Sequence, residues 1–244
     1  MDIKNKVVIV TGASMGIGEA VARAFAAAGA KLVLAARSAD KLGALAKSLP
    51  TETLVVPTDM TDQKQVSALI DQTHKHFGRV DILINNAGQA AGGPIATVNP
   101  EHYRKIIDLN LFGPLYAMQA VVPVMKQQPD GGVIINISSN VSKMAIPGIG
   151  AYASTKYALN GLTLTARGEL AADNIRVVLF HPGLTATDFG KNALRQEGGG
   201  YGPPASSGSM PANRPTPDSV EAVAKKILEA AITEPAEMGM PMQR

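Results

Sequence analysis

Short, almost wholly apolar runs alternate along this chain with longer stretches in which apolar residues recur every three or four positions. Lys6-Val7-Val8-Ile9-Val10 opens the series, and Lys31 to Ala35, Thr53 to Val56, Ile82 to Asn85, Val133 to Ser138 and Ile175 to Phe180 continue it. β-Branched runs without polar alternation mark strands whose two faces are both covered, as in a parallel sheet. Helical patterns fill the gaps: Glu19 to Ala28, stopping at Gly29, then about Asp40 to Leu49, and further helices near 62–77, 100–127 and 150–172. Pro217-Asp218-Ser219 starts a last helix that runs to about Ile232. Six strand–helix units in series predict an α/β chain with a doubly wound parallel sheet, right-handed crossovers and helices on both faces. The three layers α/β/α form a single domain over residues 1–244.

The pattern breaks once. From Gln196 to Asp218 the chain is rich in Gly, Pro and Ser, and a stretch of that length without periodicity is either a lid or disordered. Residues 187–217 are therefore expected to form a flexible substrate loop. No internal repeat is evident.

Composition narrows the classes. The 244 residues are 45% hydrophobic and 18% charged, the balance of a globular domain with a sizeable core. The net charge is only +3 and the basic residues are dispersed, so no nucleic-acid or membrane patch is expected. Cysteine is absent, which excludes disulfides, thiolate catalysis and cysteine zinc sites. His74 and His76 are two apart and share no helix face, and His102 and His181 lack carboxylates at a ligand spacing; no metal is expected. No signal-like segment follows Met1, and no apolar run reaches the roughly eighteen residues of a membrane span. The expected location is cytoplasmic.

Two short motifs carry chemistry. Thr11-Gly12-Ala13-Ser14-Met15-Gly16-Ile17-Gly18 follows the first strand and opens the first helix. Glycines there let the backbone turn tightly and approach a pyrophosphate, whose charge the helix N-terminus meets. Tyr152 and Lys156 are four apart on a helix and so share one face. A phenol holds its proton until about pH 10; a nearby ammonium favours the phenolate and yields a group able to donate or accept a proton near neutrality. Taken alone, Tyr-x-x-x-Lys is a pattern that surface helices also carry by chance.

Gly12, Gly16 and Gly18, then Asn85-Asn86-Ala87-Gly88 after the fourth strand, Asn110, Ser139, Tyr152 and Lys156 occur in order between about residues 6 and 189. Together they resemble the short-chain dehydrogenase/reductase family. The resemblance implies a Rossmann-like fold and a nicotinamide-dependent oxidoreductase acting on a ketone, an aldehyde or a secondary alcohol. It implies that Tyr152 is the general acid/base and that Lys156 lowers its pKa and bonds the nicotinamide ribose. Ser139, thirteen residues before Tyr152, would bond the substrate oxygen, in preference to the adjacent Ser138. Asn110 would hold a water that re-protonates the pair. Ser14, Met15 and Ile17 would surround the cofactor with the three glycines. Asp59, with Met60 beside it, would meet the adenine. Asn86, Ala87 and Gly88 would line the adenosine ribose and brace the sheet. Pro182, Gly183, Thr185 and Thr187 would hold the carboxamide.

The end of the second strand bears on the choice of cofactor. An Asp or Glu there accepts from the ribose 2′-hydroxyl of NAD and repels a 2′-phosphate. This chain reads Ala35-Ala36-Arg37-Ser38; Arg37 can pair with a phosphate and Ser38 can add a donor. NADP(H) is expected, with NAD(H) possible. Three departures from the family pattern stand out: Met15 where many NADP-preferring relatives are basic, Ser142 where relatives have glycine, and a tail, Met238 to Arg244, without the glycine-rich last strand many relatives use at a subunit contact. The helices near 100–127 and 150–172 resemble the family's dimer face, so a homodimer or homotetramer is expected. Ala90 to Pro94, Met144 to Gly150 and the loop from Thr187 should form the substrate pocket. Their small, apolar or glycine-rich character points to a neutral, largely apolar carbonyl compound or alcohol. The alternative from another class is a non-catalytic NADP(H)-binding sensor or scaffold on the same fold.

Overall fold

The computed structural model describes residues 1–194 and 216–241. The described strands are β1 (Val7–Thr11), β2 (Lys31–Ala36), β3 (Thr53–Pro57), β4 (Ile82–Asn85), β5 (Gly132–Ile137), β6 (Ile175–His181) and β7 (Glu237–Gly239). They pair in parallel in the order β3-β2-β1-β4-β5-β6-β7. In β1, β4 and β5 every residue is buried, which is why these runs show no polar alternation. Successive side chains alternate between two cores. Val8 and Val10 face α1 (Gly16–Ala27), α2 (Ala39–Ser48) and α7 (Val220–Thr233). Val7 and Ile9 face the layer built from α3 (Gln63–Phe77), α5 (Gly113–Lys126) and α6 (Gly150–Leu170).

The chain runs outward from β1 to β3, then returns to place β4 on the other side of β1. That reversal opens a crevice at the carboxyl ends of β1 and β4, the usual ligand position in such sheets. Local chemistry sets the helix ends. Asp62 accepts from the backbone N–H groups of Lys64 and Gln65 to start α3, and Gly78 at φ 74° ends it.

Two findings differ from the sequence reading. The tail does form a last strand: β7 pairs Glu237 to Gly239 with Leu179 to His181. A Cβ on Gly239 would sit 2.6 Å from the His181 carbonyl oxygen, so glycine is what allows the approach. Three residues are too few for a strand period to register. Second, α4 (Pro100–Ile107), a π-helical turn (Asp108–Phe112) and α5 run on as one helix. This 27-residue helix is long and apolar enough to cross a membrane by length and composition, with a mean hydropathy of 1.2 over an 18-residue stretch of it. Its apolarity has a packing reason, because Ala117, Met118, Val121 and Met125 lie in the core beneath the sheet.

Candidate active site

The glycine turn is built to let another backbone come close. Gly12 has φ 66°, a left-handed conformation that favours glycine. A Cβ on Gly18 would meet the Gly12 carbonyl oxygen at 2.2 Å. Asn86 locks the turn to the end of β4: its Nδ2 donates to the Thr11 carbonyl at 2.9 Å, and Thr11 Oγ1 accepts from the Asn86 and Ala87 N–H groups at 3.0 Å each. Asn86 and Ala87 therefore brace the cradle. The start of α1 carries no side-chain cap, so its first-turn N–H groups are left to a ligand. A dinucleotide pyrophosphate fits this cradle. Ser14 and Ile17 lie half-buried along it, and Met15 is 43% exposed.

The adenosine side is less uniform. Arg37 and Ser38 are exposed at the end of β2, and Arg37 makes no hydrogen bond or ion pair among the described residues. One backbone bond, Ala13 N to Ala35 O at 3.2 Å, ties this strand end to the glycine turn. Asp59 has a turn role: its Oδ1 accepts from the N–H and Oγ1 of Thr61 at 2.9 and 2.8 Å, which leaves Oδ2 for an adenine. The Met60 side chain is in the core, so only its backbone can face a ligand.

At the chemical end the structure gathers the expected residues. Lys156 is 4% exposed, and its Nζ donates to the Ile137 carbonyl at 2.8 Å. Burial lowers its pKa to about 8. The same Nζ lies 6.0 Å from the centre of the Tyr152 ring. A Cβ on Gly88 would stand 3.7 Å from Nζ and 3.2 Å from Asn110 Oδ1, so Gly88, Asn110 and Lys156 converge. Asn110 sits fully buried in the π turn, a distortion frequent at functional sites. Its Oδ1 accepts from Gln89 N at 2.9 Å, and its Nδ2 donates to Gln89 O at 2.8 Å and Thr155 Oγ1 at 3.1 Å. Its amide thus ties the loop after β4 to α6. Ser139 lies half-buried two residues past β5, and its Oγ accepts from Val141 N at 3.3 Å. That bond uses a lone pair and leaves the hydroxyl proton to donate. Ser138 is buried, with its Oγ donating to Asn160 Oδ1 at 2.6 Å.

The short chain dehydrogenase family model matches residues 6–198. The chain belongs to the short-chain dehydrogenase family. Among its relatives is a 3alpha-hydroxysteroid dehydrogenase of Mediterraneibacter gnavus, 40% identical over 194 residues, which are 78% of this chain and 77% of the relative. A short-chain dehydrogenase/reductase from Burkholderia phymatum, solved with NAD, superposes with a TM-score of 0.86 at 26% identity, covering 98% of this chain and 90% of that one. A blue fluorescent protein from a metagenomic library, solved with NADPH, superposes with a TM-score of 0.82 at 29% identity over 98% of each chain. The protein is an oxidoreductase of this family, with a nicotinamide-nucleotide fold.

In this dehydrogenase the segment after β6 lies across the crevice. Pro182 O accepts from Asn140 N at 3.0 Å, next to Ser139, and Thr185 pairs with Asp218. A Cβ on Gly183 would sit 2.8 Å from Asp218 Oδ2, and one on Gly16 would meet Thr187 Cγ2 at 3.3 Å. Residues 187–194 continue over the face that carries Tyr152. Leu194 N donates to Ala90 O at 2.8 Å, and the Phe189 ring lies 5.5 Å from the Tyr152 ring. The loop expected over 187–217 is thus tied down as far as Leu194; residues 195–215 lie outside the described residues. Ala90 and Ala91 join Tyr152, Phe189 and Leu194 in one apolar cluster. Met144 to Pro147 and Gly150 instead line a shallow groove of about 440 Å³ with Ala153, Ser154 and Tyr157. That groove includes neither Ser139 nor Tyr152.

Sequence reasoning passed over Thr11, Gln89, Thr155 and Phe189. Threonine at a strand end and glutamine in a loop carry no local signal, since their partners lie 21 to 76 positions away. Phe189 could have been suspected, as the one aromatic residue between Pro182 and Leu194.

Proposed function

We propose that the protein is a cytoplasmic, NADP(H)-preferring carbonyl reductase, or in reverse a secondary-alcohol dehydrogenase, for a neutral, largely apolar compound. The observation that carries this reading is the buried Lys156 ammonium, with its pKa lowered to about 8, one turn from Tyr152. Burying an ammonium is unfavourable, so its retention beside a phenol at the mouth of a nucleotide cradle argues for chemistry. Gly12 to Gly18 would hold the pyrophosphate, Arg37 and Ser38 a 2′-phosphate, Asp59 Oδ2 the adenine, Lys156 the nicotinamide ribose, and the segment from Pro182 to Thr187 the carboxamide. When bound, the nicotinamide supplies the hydride in reduction and accepts it in oxidation.

The chain's own residues manage the proton. Tyr152 donates its phenolic proton to the substrate oxygen, and the Ser139 hydroxyl bonds the same oxygen as charge develops on it. The Lys156 charge stabilises the resulting phenolate. Asn110 fixes the loop and helix beside Lys156, where a water would return the proton. Phe189, Leu194 and Ala91 would form the apolar wall against the substrate. Exposed Phe112, Tyr157 and Leu164 on the long helices favour pairing of copies into a homodimer or homotetramer.

The test is turnover of a carbonyl panel with NADPH and NADH, beginning with steroid ketones because of the hydroxysteroid dehydrogenase relative. Tyr152→Phe should lower kcat by about 10²–10⁴-fold while NADPH binding, read by fluorescence, is unchanged. Near-full activity in that variant would remove Tyr152 as the acid. Tight NADPH binding with no turnover of any carbonyl would instead favour a sensor or scaffold.

A further inference from the structure

We propose that His181 is a positioning residue for Ser139: its Nδ1–H joins the Ser142 N–H and hydroxyl in holding the Ser139 carbonyl and so sets the orientation of the serine. The proposal rests on the reading of Ser139 as the group that bonds the substrate oxygen.

His181 closes β6 and is 1% exposed. Its Nδ1 lies 3.1 Å from Ser139 O and 3.3 Å from Ser142 Oγ. Ser142, the residue that departs from the family's glycine, is buried with its Oγ 2.6 Å from Ser139 O. A proton count assigns the ring tautomer, because each hydroxyl has one proton to give. Ser138 gives its proton to Asn160 Oδ1 at 2.6 Å. Asn160 Nδ2 donates to Ser142 Oγ at 3.0 Å. Ser142 spends its own proton on Ser139 O, its shortest acceptor contact, so none is left for the imidazole. Nδ1 must then be the donor, and Ser139 O receives three hydrogen bonds, the third from the Ser142 N–H at 3.0 Å.

On its far side Nε2 lies 3.2 Å from Glu237 Oε1, whose carboxylate also pairs with Lys143, but Nε2 makes no hydrogen bond among the described residues. The link to the serine runs through Nδ1. The surrounding backbone is tied as well. Asn140 N donates to Pro182 O at 3.0 Å, and Met240 N donates to His181 O at 2.9 Å. Fixing a carbonyl fixes its peptide plane, and with it the direction in which Ser139 projects its hydroxyl. A misplacement of about 1 Å at a reacting group costs about a hundredfold in rate.

Three substitutions separate this role from packing. The Asn amide falls where Nδ1 lies, whereas the Gln amide falls where Nε2 lies. His181→Gln and His181→Leu should lower kcat by about 10–100-fold with NADPH affinity unchanged, and His181→Asn should recover most of the activity. Hydrogen exchange of the backbone amides in 139–142 should accelerate in the Gln and Leu variants and return towards wild type in the Asn variant. An Asn variant as damaged as the Leu variant in both readouts, or a Gln variant matching wild type, would overturn the proposal. If the Leu variant does not fold, the Asn–Gln pair decides alone. If the wild-type protein turns over no carbonyl, the reading of Ser139 falls, and the exchange pattern still decides whether Nδ1 holds its carbonyl.

Discussion

Replacing Lys156 with methionine should leave the folded protein as stable or more stable while removing its activity. The side chain is 4% exposed, and burial lowers its pKa from 10.5 to about 8. At 1.36 kcal/mol per pH unit, carrying that charge in the fold costs about 3 kcal/mol. Part is offset by the bond from Nζ to the Ile137 carbonyl, worth about 1.5–3 kcal/mol for a charged donor. A methionine of similar length removes both, so the net change at pH 7 lies between zero and about 1.5 kcal/mol in favour of the variant. For a chain of this size that is a rise in Tm of up to about 6 °C. The pH dependence has a definite sign. Between about pH 8 and 10.5 the unfolded chain holds the lysine proton and the folded chain does not, so wild-type stability rises with pH through that window. The variant has no such group, and its advantage should shrink over the same range. Thermal melts of both proteins without cofactor, from pH 7 to 10, test this alongside a turnover assay. A fall in Tm of more than about 4 °C at pH 7 would refute the claim that the ammonium is held at the expense of stability.

Two further outcomes follow from the cradle. Arg37→Glu should raise the KM for NADPH by about 10–100-fold, the value of a charge-assisted bond, and leave NADH kinetics nearly unchanged; equal effects on both cofactors would show that Arg37 does not read the 2′-phosphate. Gly18→Ala should destabilise the fold by about 1–3 kcal/mol through overpacking, since the new Cβ meets the Gly12 carbonyl oxygen at 2.2 Å; a wild-type melting curve with intact cofactor binding would contradict that geometry.

The parallel strands could be read from the chain because coverage on both faces leaves a local mark, an unbroken β-branched run such as Val7 to Thr11. Gly12 and Gly18 could be read for a similar reason: a backbone that must turn left-handed or approach another chain closely demands glycine at that position. The ordered set from Asn86 to Lys156 was likewise written in residue identity. What those residues do to one another was not. The π turn that presents Asn110, the commitment of its amide to Gln89 and Thr155, and the core burial of Met60 depend on partners far away in sequence. So do the three-residue strand β7 and the fold of Thr187 to Leu194 over Tyr152.

Residue types and their spacing along the chain determined the fold class and the membership of the candidate site. Tertiary structure alone decided that Lys156 lies out of water, and hence that its charge is carried at a stability cost. It also decided which donors reach the Ser139 carbonyl. Burial and hydrogen-bond geometry are properties of what surrounds a side chain, and those surroundings are assembled from β4, β5, β6, α6 and β7 only once the sheet has closed around them.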